Sequence, residues 1–287
     1  LQQLSASLES RGYKTGFDEV IKKVRSAWEE EVNNLYTTDD PKGLGQTRVL
    51  GELTVRQALD VGCGSGAFTR TLADSLGAWR SIVGLDPDKD QIDEARRLTD
   101  LRGVTFRLLP GEQMPFHDDR FDLVAISNAL HHLADLDAVL AEMVRVASPG
   151  GRLVVQELVC DGLDSAERNG RDLHHLKARI DRLHGRTHNP TFTRDEVRST
   201  VRAVAPEIEE ECEVVDVEPG EPGSQRVNDA VGFIAEYLEH ALETDAAEEL
   251  QAEAGRLVSS LYETGIATPP RLLIRARLPR SRHSGSV

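Results

Sequence analysis

Two hydrophobic periods alternate along the first half of the chain. Short apolar runs at 55–61, 81–86, 104–109, 121–127 and 152–157 have the length and β-branched content of buried strands. Between them the apolar positions fall at helical spacing, as with Phe68, Leu72 and Leu76 over 67–76, and again over 89–98 and 136–147. Strands alternating with helices at short intervals predict an α/β, doubly wound, parallel sheet with helices on both faces. After Glu157 the pattern changes. A helix is expected over 166–184, and His188-Asn189-Pro190 breaks it. Thr193, with Glu196 three residues later, has the form of a capping box. A strand follows at 211–217, a Pro/Gly loop at 218–224, two helices at 225–243 and 245–263, and a last strand at 271–278. Ahead of the first strand, Phe17, Val20, Ile21, Val24, Trp28, Val32 and Leu35 mark an amphipathic helix over 17–36, after a loose polar stretch over 1–15.

Composition narrows the field. The chain has 287 residues, 39% hydrophobic and 29% charged, which suits a globular protein with one large core and additions. The net charge of −15 disfavours nucleic acid as a partner. Cys63, Cys160 and Cys212 have no paired spacing, so neither a disulfide frame nor a zinc–cysteine site is expected. No apolar run reaches the length of a membrane span and no signal peptide is visible, so the expected location is cytoplasmic. The chain starts with Leu1 rather than Met, and a few residues are expected to be missing. The Glu207–Glu213 run reads as a solvated face.

The chemistry concentrates where the first strand ends. Asp60-Val61-Gly62-Cys63-Gly64-Ser65-Gly66 joins a strand to a helix, and the glycines allow a sharp turn with a ligand against the backbone. Cys63 reads as a small turn residue rather than a nucleophile. Asp86, 20 residues after Gly66, closes the second strand, where an acid can accept hydrogen bonds from ribose hydroxyls. This pair predicts a nucleoside cofactor without naming it, because Gly62, Gly64 and Ala67 also satisfy the G-x-G-x-x-A spacing of NAD-binding proteins. An NAD-dependent oxidoreductase therefore stays open. Against it, none of Tyr13, Tyr36, Tyr237 and Tyr262 has a Lys four residues later.

Further motifs carry a family resemblance. With the glycine turn, they are Gly84-Leu85-Asp86-Pro87, Met114-Pro115-Phe116, Phe121-Asp122-Leu123-Val124, Asn128-Ala129-Leu130-His131-His132-Leu133 and Ser148-Pro149-Gly150-Gly151, the last an expected turn before the fifth strand. Their order and spacing resemble a class I S-adenosylmethionine-dependent methyltransferase, of the small-molecule branch similar to the ubiquinone/menaquinone-biosynthesis methyltransferases. The resemblance covers residues 55–160 strongly and the remainder weakly. It implies a mostly parallel, seven-stranded Rossmann-like sheet with helical additions. The implied organisation is an N-terminal tail and helix over 1–45, acting as lid or packing, and a cofactor-binding core over 46–160. Acceptor-pocket additions with the last two strands would occupy 161–278, and a tail 279–287.

The cofactor implied is S-adenosyl-L-methionine, with S-adenosyl-L-homocysteine as product, and the contacts implied are Asp60, Gly62, Cys63, Gly64, Gly66, Asp86, Pro87, Gly111, Glu112, Gln113, Ser127, Asn128 and His131. Pro110 stands where the family usually has an adenine-binding Asp, so Glu112 or a backbone group would read the base. The function implied is methyl transfer to a small-molecule acceptor by in-line displacement, catalysed mainly by positioning; a protein that binds the cofactor without transfer is the alternative. Candidate bases are His131, His132, Glu157 and the His174/His175 pair, with His131 the cofactor neighbour by motif position. His174, His175, His184 and His188 cluster in sequence, but Gly185 and Pro190 interrupt the helix and no Cys joins them, so no metal is expected. The protein is expected to be a monomer or homodimer, with no nucleic-acid partner.

Overall fold

The computed structural model describes residues 48–51, 53–215, 219–241 and 245–280. The helix expected over 17–36, with Trp28 and Tyr36, lies outside these residues. The described chain divides into two compact units.

The larger unit is built on a seven-stranded sheet of order β3-β2-β1-β4-β5-β7-β6. Its elements are β1 (Thr54–Val61), α1 (Ala67–Ser75), β2 (Ala78–Asp86), α2 (Lys89–Leu98), β3 (Val104–Leu108), β4 (Phe121–Ser127), α3 (Leu136–Val146) and β5 (Ala147–Leu158). The chain returns to this unit for α5 (Arg194–Val204), β6 (Glu207–Val214) and β7 (Arg271–Arg277). The first five strands pair in parallel, and β7 runs antiparallel to both β5 and β6. The α/β doubly wound fold expected from the periodicity is the one observed.

Strand alternation explains the two-sided core. Leu59, Val61, Val83, Leu85, Val124, Ile126, Leu153 and Val155 feed one buried cluster, packed with Val139 and Met143 of α3 and Val197 of α5. Their neighbours Ala58, Ile82, Leu123, Ala125 and Val154 feed a second, packed with Phe68 and Leu72 of α1. Burial on both faces is why these strands read as continuous apolar runs.

Two strands depart from the sequence pattern. The expected turn over 148–151 lies within β5, where the pairing with β4 shifts register between Phe121 and Leu123 and Gly150 takes φ 71°. It is a bulge within a longer strand. The expected solvated acidic run is the body of β6. Its Glu209, 12% exposed, pairs with Arg152 of β5 at 3.3 Å and with Arg275 and Arg277 of β7 at 3.1 and 2.5 Å. Burial works to raise the Glu209 carboxyl, but the arginines outweigh it and hold it below the usual range.

The smaller unit contains α4 (Ser165–Leu183), α6 (Gln225–Ala241) and α7 (Ala247–Thr264). Leu176 and Ile180 of α4, Val227, Ile234 and Leu238 of α6, and Leu250, Val258 and Leu261 of α7 form its own core. The capping box at Thr193 and Glu196 is present on α5, and a second, Asp164 with Glu167, starts α4. No described helix is long and apolar enough to cross a membrane.

Candidate cofactor and active site

Strand β1 lies between β2 and β4, the point where the sheet order reverses. In open α/β sheets the crevice at such a switch point, outside the carboxyl ends of the strands, takes ligands. The ends of β1, β2 and β4 bring Val61, Asp86 and Ser127 there. The turn after β1 holds Gly62, Gly64 and Gly66 at φ 68°, 51° and 83°. A Cβ on Gly62 would lie 2.8 Å from the Ala129 Cβ, so both the left-handed backbone and the space demand glycine. Cys63 N–H donates to the Leu85 carbonyl at 2.9 Å, which ties the turn to β2. Gly66 is the N-cap of α1 and offers no side-chain cap, so the first-turn N–H groups of α1 have no capping side chain there.

Two carboxylates flank this turn. Asp60 is fully buried, and its Oδ2 accepts from the Thr69 hydroxyl at 2.6 Å. Its Oδ1 is buried with no hydrogen-bond partner. Burial, with a further push from Asp86 against the Thr69 bond, raises its pKa from 3.8 to about 7. An unpartnered buried carboxylate oxygen is costly alone and suits a donor or cationic group of a ligand. Asp86 accepts from Gly64 N–H and Asp88 N–H, each at 2.9 Å. Burial raises its pKa and the two amide bonds oppose that rise. Cys63 is buried beside both acids, and burial foremost pushes its thiol up, so it is no thiolate nucleophile.

Across the crevice, Asn128 follows β4 in the left-handed region at φ 50°. Its N–H donates to the Gln156 carbonyl at 2.8 Å, while its Oδ1 is buried without a partner. Gln156 donates from Nε2 to the Ser127 hydroxyl at 3.2 Å. The 3₁₀ turn Leu130–His132 comes next. Glu157 is fully buried and its oxygens accept from Leu130 N–H at 2.9 Å, Leu158 N–H at 2.9 Å and His131 Nδ1 at 2.8 Å. With Nδ1 held against Glu157, the His131 ring turns Nε2 away from that carboxylate. His132 is exposed, its ring 4.2 Å from that of His131.

The adenine-side candidates follow β3, except Pro87, which follows β2. Gly111 is buried, whereas Glu112, Gln113 and Pro87 are exposed. His175 lies in the other unit, where its Nε2 accepts from Thr191 N–H at 3.2 Å and meets the Thr191 hydroxyl at 2.9 Å. Thr69 and Gln156 were missed by sequence reasoning. Thr69 sits one turn into a helix with no motif of its own, and Gln156 reads as one more residue of a buried strand.

Residues 59–155 match the family model described as a methyltransferase domain. Over this core the chain is similar to class I S-adenosylmethionine-dependent methyltransferases of the UbiE-like kind. The ubiquinone/menaquinone biosynthesis C-methyltransferase UbiE of Burkholderia vietnamiensis is 34% identical over 149 residues, 48% of this chain and 61% of that protein. The methyltransferase GfsG of Streptomyces halstedii is 30% identical over 161 residues, 51% of this chain and 57% of that protein. The chain thus spans about three-fifths of the length of the curated relatives it matches. Among solved structures, a candidate methyltransferase from Bacillus halodurans aligns with TM-score 0.55 at 18% identity, covering 82% of this chain and 96% of that one. The candidate methyltransferase solved with the Trm112 activator of Haloferax volcanii aligns with TM-score 0.54 at 21% identity, covering 93% and 97%. At these identities the structures speak for the fold alone.

Proposed function

We propose that this chain transfers a methyl group from S-adenosylmethionine to a small-molecule acceptor. The observation that carries the reading is the pair of acids around the glycine turn: Asp60 with a buried, unpartnered Oδ1, and Asp86 bonded to Gly64 N–H. When bound, S-adenosylmethionine supplies a methyl carbon on a sulfonium, whose C–S bond breaks as the bond to the acceptor forms, leaving S-adenosylhomocysteine.

The chain's own part is to bind, orient and exclude water. Asp60 receives the amino-acid ammonium and Asp86 the ribose hydroxyls. Gly62, Cys63, Gly64 and Gly66 pass their backbone beside the methionine end, with Ser127 and Asn128 near the sulfonium. Gly111, Glu112, Gln113 and Pro87 border the adenine. An acceptor that must lose a proton gives it to His131 Nε2. Glu157 holds that ring, and its oxygens already serve three donors, so its role is positioning. His132 and His175 are secondary candidates for the same task.

The test is transfer of a radiolabelled methyl group from S-adenosylmethionine into a panel of small organic acceptors. Label appearing in an extractable product, and lost with Asp86→Ala, supports the reading. Label in no fraction from a protein that binds S-adenosylhomocysteine tightly would favour binding without transfer.

A further inference from the structure

The smaller unit holds a histidine arrangement that the methyl-transfer reading does not use. α4 places His174 and Asp181 seven residues apart, two turns along one helix face. The helix ends at Leu183, and Gly185, at φ 75°, turns the chain back on itself. Arg186 N–H donates to the Asp181 carbonyl at 3.0 Å, and the Arg182 guanidinium holds the His188 carbonyl at 2.5 Å. His175 grips Thr191 beyond. The turn thereby delivers His188, only 2% exposed, against the helix face.

There the Nε2 atoms of His174 and His188 lie 3.1 Å apart, with the rings inclined at 78°. Behind His188, Asp181 takes Nδ1 at 2.7 Å. Lys177 of the same helix face also pairs with the Asp181 carboxylate. A carboxylate on Nδ1 fixes the tautomer that presents Nε2 as a lone pair, the usual support behind a metal-ligating histidine.

The separation fits two ligands of one ion. Two nitrogens bound at about 2.0–2.1 Å to one ion stand about 3.3 Å apart at a tetrahedral angle and about 2.9 Å apart at a right angle. The observed 3.1 Å falls between them. We propose that His174 and His188, with Asp181 orienting His188, form a binding site for a divalent late first-row transition metal. Imidazole donors suit Zn²⁺, Co²⁺, Ni²⁺ and Cu²⁺ rather than Mg²⁺ or Ca²⁺. In the metal-free form one imidazole donates an N–H to the other; the ion replaces that proton. The helix boundary hid this from the sequence, because the effective spacing is 174, 181 and 188 rather than the four residues between His184 and His188.

The test is equilibrium dialysis of the untagged full chain against Zn²⁺, with metal quantified by mass spectrometry, and Co²⁺ titration followed by visible absorption. The expected result is one ion per chain and a Co²⁺ d–d band showing nitrogen ligation. His174→Gln and His188→Gln should each weaken uptake by at least about tenfold, and Asp181→Asn by about tenfold to a hundredfold. His184→Ala, at an exposed position on the helix cap, should leave it unchanged. Absence of stoichiometric uptake by the unmutated chain, which carries no folding risk, would overturn the proposal. So would uptake that survives either glutamine variant, which would assign the 3.1 Å contact to a hydrogen bond alone.

Discussion

Asp60 is the residue on which the cofactor reading turns, and its ionisation gives a test with a definite sign. Its folded-state pKa of about 7 lies above the usual 3.8. The retained proton therefore contributes stability that is complete below about pH 4 and lost as the pH rises through about 7. An ammonium ligand needs the opposite state, the carboxylate. Affinity for S-adenosylhomocysteine should then rise by about tenfold per pH unit below 7 and level off above it. The ligand-free melting temperature should fall over the same range. Isothermal titration and thermal melts between pH 5.5 and 8.5 check both, and Asp60→Asn should flatten the two profiles together. A flat binding profile in the unmutated protein would remove the ammonium from Asp60. Gly62 offers a second test at this scale. Gly62→Ala meets a left-handed backbone and the Ala129 Cβ at 2.8 Å, so it should destabilise the fold by about 1–3 kcal/mol and weaken cofactor binding. Chemical denaturation reads the first effect and titration the second. Residue-level legibility was uneven for a physical reason. Asp60 and Asp86 stand at fixed places in a motif, whereas Thr69 and Gln156 act through contacts made only in three dimensions.

At the scale of elements, what could be read followed what is buried. β4 and α2 have the bounds expected from the sequence, because a two-sided buried strand and an Asp-capped amphipathic helix each carry a strong local signal. β6 does not, because charge pairing rather than apolar burial seats it in the sheet. Its Glu209 meets arginines on β5 and β7, so the acidic run that looks solvated is the edge strand of the sheet, paired to β7. Glu209→Ala leaves three arginines without their shared carboxylate at a site only 12% exposed. It should cost about 1–3 kcal/mol of stability, with cofactor affinity preserved, since the pairs sit on β5, β6 and β7 and not at the glycine turn. A denaturant midpoint unchanged in this variant would mean the cluster is solvated in effect. The bulge at 148–151 was also misread, as a turn, because Pro and Gly serve both features alike.

At the scale of the whole molecule, the sequence carries the core and its class far better than the substrate. The parallel sheet covered on both faces follows from strand–helix alternation, and the crevice follows from the observed sheet order. The helices after Glu157 follow no such rule. α4, α6 and α7 are amphipathic helices around a core of their own, and nothing in their periodicity names an acceptor. The His174–Asp181–His188 arrangement beside them depends on a turn at Gly185 rather than on helical spacing. The central claim is that the glycine turn with Asp60 and Asp86 binds S-adenosylmethionine rather than a dinucleotide. Calorimetric titration of the full chain with S-adenosylhomocysteine and, separately, with NAD tests it most directly. The account predicts about micromolar binding of the first, little or none of the second, and a loss of about tenfold to a hundredfold in the Asp86→Ala variant. Tighter binding of NAD, or an affinity untouched by Asp86→Ala, would contradict it.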